Sequence, residues 1–326
     1  YKKEATAQQP ATSKEEGNLV AFSGPDFKAT FDKQSGLLTS YLYKKHEYIL
    51  NGQGPRPFFW RAPTDNDYGA NLPVRLKAWK EASYQEPKAE SFQVTPGSNA
   101  TTVKVTYRFP QTDARWDITY KIYASGVIKV DNRFVAEGDQ APMIPRVGLR
   151  MQLPESFTDL TYYGRGPKEN YRDRRTSQFI GEYAIPVKDM YEPYVRPQEN
   201  NHRTDIYWCA LTDKTQRGLL LIADRTFELN ASNYPLESMD SGDTIDNGAP
   251  RTEKTHHRHL TDPLPEKMVD LFIDYRMMGV GGDDSWGATA HEPYLIRPGK
   301  ENAIEYGFSL VPFDKKEDYK YLIRQY

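Results

Sequence analysis

A large antiparallel β-sandwich, all-β with one or two short helices, is the fold that this sequence of 326 residues predicts. Three observations point to it. Apolar and polar residues alternate through segment after segment, turn signals recur at short intervals with 22 glycines and 23 prolines, and helical periodicity is confined to short stretches.

In chain order, residues 1–17 (YKKEATAQQPATSKEEG) are polar and aperiodic and are expected to be a linker or a processed or excised N-terminal end, since the sequence does not begin with Met. The sandwich is expected over residues 18–313. Phe27, Ala29 and Phe31 alternate into the turn DKQSG. Asn71 is positioned to cap a helix whose Leu72, Leu76 and Trp79 share one face, with Pro73 tolerated in its first turn. Val103, Val105, Tyr107 and Phe109 alternate, as do Trp116, Ile118, Tyr120 and Ile122, and the turn ASG then leads to Ile128 and Val130. Such strands are half-buried. Leu219–Ile222 is an unbroken apolar run, which predicts a strand covered on both faces. A second short helix could hold TEKTHHRHL. Two further alternations, Val269 to Tyr275 and Ile304 to Leu310, complete the strand set, and residues 314–326 (DKKEDYKYLIRQY) are expected to be a charged tail.

Composition excludes some functions. With 43 basic against 45 acidic residues and a net charge of -2, no electrostatic footprint for nucleic acid or anionic membrane is present. No apolar run approaches the roughly 18 residues of a membrane span. A soluble protein is expected, with the compartment, cytoplasmic or periplasmic, left open. The one cysteine, Cys209 in IYWCAL, is expected as a small buried side chain. Aromatic residues make up 13% of the chain, which suits either sugar rings or sheet packing.

Several segments carry candidate chemistry. Asp65, Asn66, Asp67 and Gly69 resemble the start of a calcium loop, but Ala70 and Leu76 stand where glycine and a bidentate acid are required, so a turn is expected. His256, His257 and His259 lack a metal-site spacing, and YYGRGPKENYRDRR lacks a phosphate-loop or dinucleotide pattern. Glu199 and His202 could act as a base and acid pair, with His257 as another acid, although satisfying loop backbone and nearby arginines is the simpler task for them. GVGGDDSWG (279–287) combines glycines 279, 281, 282 and 287 with Asp283, Asp284 and Trp286. Its glycines permit a sharp loop, and the two aspartates can bond its amides.

Taken together, RAPTDNDYG (61–69), YYGRGPKENYRDR (162–174), DMYEPYVRPQENNHRTD (189–205), THHRHL (255–260) and GVGGDDSWG resemble, in the same order, the C-terminal domain of the large bacterial β-galactosidases of glycoside hydrolase family 2. The resemblance spans nearly all of residues 18–313. It implies a β-supersandwich of the galactose mutarotase-like kind, shared with aldose epimerases. It implies too that the catalytic glutamates lie on a barrel domain outside this chain, and that the parent enzyme holds magnesium and sodium through other domains, with no cofactor on this one. Gly281, Gly282, Asp283 and Asp284 would then support a loop that presents Trp286 to the aglycone sugar. Implied partners are the preceding domains or a separate large subunit, a β-galactoside, and further copies in a homo-oligomer. Two other readings remain open at this point: a free-standing aldose epimerase using Glu199 with His202 or His257, and a carbohydrate-binding module.

Overall fold

In the computed structural model of the chain, residues 9–136, 143–242, 259–284, 287–297, 299, 303–315 and 317–325 are described. A first, five-stranded antiparallel sheet is formed by β1 (Thr12–Glu16), β2 (Leu19–Ser23), β3 (Phe27–Asp32), β4 (Leu38–Tyr43) and β5 (His46–Glu47) in sequential order. Residues 12–16, which composition places in a linker, therefore form an edge strand, paired from Thr12↔Ser23 to Glu16↔Leu19. All five of its residues are exposed, so no apolar pattern marks it in the sequence.

After β6 (Arg56–Phe58) come three short helices, α1 (Asp65–Gly69), α2 (Leu72–Arg75) and α3 (Lys77–Tyr84). Leu72, Leu76 and Trp79 are buried together, as their spacing predicts. The single helix expected here is nevertheless broken at Leu76, whose φ of -108° and ψ of 16° lie outside the helical range. Asn71 precedes α2 but makes no side-chain cap, because its backbone is left-handed at φ 55°; asparagine tolerates that conformation. The expected turn over Asp65–Gly69 is instead helix α1, capped by Thr64.

Among the described residues the larger sheet has twelve strands: β6, β7 (Ala89–Thr95), β8 (Thr101–Phe109), β9 (Ala114–Ile122), β10 (Ile128–Ala136), β11 (Arg146–Pro154), β12 (Asp159–Gly166), β13 (Phe179–Pro186), β14 (Arg203–Thr212), β15 (Gly218–Ser232), β16 (Met268–Met277) and β17 (Ile304–Phe313). Its main path is β13-β12-β14-β15-β17-β10-β9-β8-β7, and a branch runs from β15 through β16 and β11 to β6. All pairings are antiparallel, as the period-two pattern predicts. β15 is the fork. Its first part pairs with β17 up to Ala223↔Phe308, and its last part pairs with β16 from Glu228↔Asp274.

The core fills the inside of this curl. Phe59 is its aromatic centre, with Phe109, Trp79, Trp116 and Phe134 around it at ring separations of 4.9 to 5.5 Å. Edge and tilted contacts at such distances add to the burial term. Leu219 and Leu221 face this main core, whereas Leu220 and Ile222 belong to a second cluster with Trp208 and Phe313. The cover over that second face includes α4 (Tyr319–Gln325), whose Tyr319, Leu322 and Ile323 pack against it. Part of the expected charged tail is thus a lid on the sheet. Cys209 in β14 is fully buried, as expected, and burial pushes its thiol pKa up.

Candidate functional site

The loop that follows β16 is held from two sides. On one side stands Arg61, 1% exposed. Its orientation begins with a capping box at α1, where the Asp67 amide donates to Thr64 Oγ1 (3.1 Å) and the Thr64 amide to Asp67 Oδ2 (3.0 Å). The same Asp67 carboxylate accepts two bonds from Arg61, Nε to Oδ2 at 3.0 Å and Nη2 to Oδ1 at 2.8 Å. A guanidinium so fixed has donors left over. They go to the carbonyls of Met278 (2.7 Å) and Gly279 (3.1 Å), and the Asn66 side-chain amide reaches the Val280 carbonyl at 3.0 Å.

On the other side is Asp173, whose two oxygens accept the amides of Val280 (3.0 Å) and Gly281 (2.9 Å). Gly281 and Gly282 then take φ values of 70° and 115°, a region that side-chain-bearing residues rarely occupy. Gly287 returns the chain against α1, where an added Cβ would lie 2.1 Å from the Gly69 carbonyl carbon. Asp284 accepts the Ala288 amide at 3.0 Å, while Asp283 pairs with the side chain of His291. Trp286 itself lies outside the described residues.

Asp173 is placed by its own loop. Asn170 is fully buried, donates to the carbonyls of Arg165 (3.0 Å) and Lys168 (3.1 Å), and accepts from the Thr204 amide (3.0 Å) and hydroxyl (2.6 Å). Glu169 accepts the Asn201 amide at 2.8 Å and the Arg174 guanidinium at 2.7 Å. The Glu199 amide in turn donates to the Ala62 carbonyl at 3.2 Å. Four of the five segments that carry the family resemblance, more than two hundred residues apart at their extremes, therefore meet in one hydrogen-bonded assembly. In the fifth, His256 and His257 lie outside the described residues, as does most of the expected TEKTHHRHL helix; the His259 amide caps onto Asp262.

Glu199 and His202 are brought together, but inside the protein, at 4% and 0% exposure. His202 Nδ1 faces Asn230 Oδ1 at 2.7 Å and Nε2 faces Glu228 Oε2 at 2.9 Å, so both ring nitrogens are engaged. Asn230 also donates to Glu199 Oε1 at 2.9 Å and accepts from Arg146 at 2.9 Å. Burial depresses the imidazolium, yet the bond to Glu228 together with the charges of Glu228 and Asp274 outweighs it and the His202 pKa is raised. Burial raises the Glu199 pKa, with Arg146 and His202 opposing. Beside them, Asp274 is lifted by burial to about 7, against the pull of Arg146. Arg146 Nε stands 3.2 Å from Asp274 Oδ2 without hydrogen-bond alignment, and neither Asp274 oxygen has a hydrogen-bond partner among the described residues. Glu199, His202 and Asp274 thus lie in a buried polar interior.

Arg61, Arg146 and Asp274 were not singled out by the sequence. Only the Thr64-x-x-Asp67 spacing, a capping-box signature, offered a local signal for the first of them. Among the described residues, no group of three or more His, Cys, Asp or Glu is arranged to hold a metal ion, and no helix is long and apolar enough to cross a membrane.

The family described as beta galactosidase small chain matches residues 23–310. A β-galactosidase of Priestia megaterium is 33% identical over 291 residues, covering 89% of this chain and 26% of the relative. One of Lactobacillus delbrueckii subsp. bulgaricus is 32% identical over 279 residues, covering 85% and 26%. The chain thus spans about a quarter of the length of the curated relatives it matches. Among solved structures, a galactose 1-epimerase of Lactobacillus acidophilus superposes with a TM-score of 0.50 over 95% of this chain and 99% of its own, at 6% identity. That likeness is one of fold alone, and the fold is the galactose mutarotase-like β-supersandwich. Matched over most of its length, the chain belongs to the β-galactosidase small-chain family.

Proposed function

We propose that this chain is the non-catalytic C-terminal domain, or small subunit, of a retaining β-galactosidase of glycoside hydrolase family 2, and that it completes the aglycone side of the active site through Trp286. The observation that carries the reading is the double anchorage of residues 278–281 by Arg61 and Asp173. A loop held through its backbone on both sides is a rigid mount for a residue a few positions further on. An indole face binds the C–H surface of a sugar without charge and loses little rotamer entropy on doing so.

In this reading the hydrolytic glutamates, the magnesium and the sodium belong to other domains of the parent, and this chain contributes position, packing and one binding surface. Residues that pre-position a bound acceptor raise the population of productive complexes without taking part in bond cleavage. The test is Trp286→Ala in the complete enzyme. Binding of the aglycone sugar weakens while turnover of substrates with a small aromatic leaving group persists; unchanged kinetics with lactose and with acceptor sugars overturn the reading.

A further inference from the structure

A cleft of about 790 Å³ opens where β15 leaves β17 to join β16. Residues 224–227 lie between those two pairings, so the sheet splits there and its edges become the walls of the hollow. The volume is in the ordinary range for a small-molecule site, roughly 300–1,000 Å³. Arg172, Arg225, Thr226, Tyr275, Arg276 and Tyr306 are among its lining residues.

The charge balance of this cleft is uneven. Each acid in its wall is already engaged. Asp224 and Asp131 hold Lys129 at 2.7 and 3.0 Å, Asp205 holds Arg165 and Arg175 at 2.7 and 2.9 Å, and Glu305 holds Arg133 at 3.3 Å. Glu228 accepts from the Met277 amide at 2.7 Å and from Arg172 at 3.3 Å, besides facing His202. The arginines are not balanced in the same way. Arg276 lies over the Tyr275 ring at 4.8 Å and pairs with no carboxylate among the described residues, and Arg225, exposed at the rim, likewise has no acidic partner among them. The capacity left over is cationic, beside the ring surfaces of Tyr275 and Tyr306, which stand 6.1 Å apart.

We propose that the fork cleft binds a saccharide carrying an oxyanion, a carboxylate or a phosphate, with Arg225 and Arg276 on the anion and the two tyrosine rings against the pyranose. Guanidinium groups recognise such oxyanions through paired N–H donors, and tyrosine offers an apolar face beside a polar edge. The inference does not rest on the galactosidase reading, because it uses only residues of this cleft.

The experiment is titration calorimetry on the full-length protein that carries this chain, with D-galacturonate and D-galactose 6-phosphate as probes and D-galactose and inorganic phosphate as controls. The readout is the binding that Arg225→Gln with Arg276→Gln removes, so a sugar held elsewhere in the parent does not enter it. At least one acidic sugar binds, each single substitution weakens it about tenfold or more, and galactose binds at least about tenfold more weakly. Tyr275→Ala weakens the acidic sugar more than it weakens inorganic phosphate. Which probe binds identifies the oxyanion. Absence of binding by both acidic sugars, binding unaffected by the arginine substitutions in variants that unfold at the wild-type temperature, or phosphate binding as tight as that of the sugar phosphate overturns the proposal.

Discussion

The carboxylate of Asp173 accepts the amide of Gly281 at 2.9 Å across 108 residues of chain, and its other oxygen takes the neighbouring Val280 amide at 3.0 Å. One side chain from the segment after β12 therefore fixes the start of the loop after β16. Asp173→Ala leaves two amides without their charged acceptor, and unfolding free energy falls by about 1–3 kcal/mol. Urea unfolding measures it. In the complete enzyme the same change raises KM for disaccharides more than it lowers kcat; an effect on stability with no effect on KM separates the loop from binding.

Arg61 supports that loop from the opposite side and is paired with Asp67 in the interior, with side chains 2% and 7% exposed. Arg61→Met strands a buried carboxylate and also frees two carbonyls. A loss of about 3–5 kcal/mol is expected, against under 1 kcal/mol for an exposed pair such as Arg108–Glu90. Equal effects of the two disruptions contradict the assigned role.

Asp274 makes stability depend on pH. Its carboxyl ionises near 3.8 in the unfolded chain but only at about 7 in the folded protein, so between those values the folded state holds more protons. Its contribution is complete below about pH 4 and is lost as pH rises towards about 7. His202, raised above 6.5, acts in the same sense at the upper end. Urea midpoints should decline over this window, and Asp274→Asn should make the decline shallower. A slope of the same size in the variant places the titration elsewhere.

With Glu199 and His202 buried and both imidazole nitrogens engaged, no acid and base pair stands open to a sugar at these positions. Polarimetry on fresh α-D-galactose should therefore show mutarotation at the buffer rate. Acceleration that is abolished by His202→Ala would revive the epimerase reading.

Much of the architecture was legible because sheet burial imposes a period of two on local sequence. The alternations at Val103–Phe109 and Trp116–Ile122 became β8 and β9, and the unbroken run at Leu219–Ile222 became a strand buried on both faces. Edge strand β1 was not legible, since an exposed strand carries no apolar signal. Helix α4 was hidden for a related reason: the charges of DKKEDYKYLIRQY obscure Tyr319, Leu322 and Ile323, which share one helical face. The site was legible only as a set of loops. The partners of Arg61 and Asp173 on the loop after β16 lie 107 to 218 residues away, and nothing local in a sequence specifies such a pairing.

In the proposed role, this chain shapes a β-galactosidase active site without breaking a bond itself. The most direct measurement is hydrolysis of a nitrophenyl β-D-galactoside by the purified 326-residue chain, folded by circular dichroism, alongside the complete enzyme. No turnover above buffer is expected from the chain, with turnover restored only when the remaining domains are present. Sustained turnover by the chain alone, lost on changing one of its own acids, would contradict it.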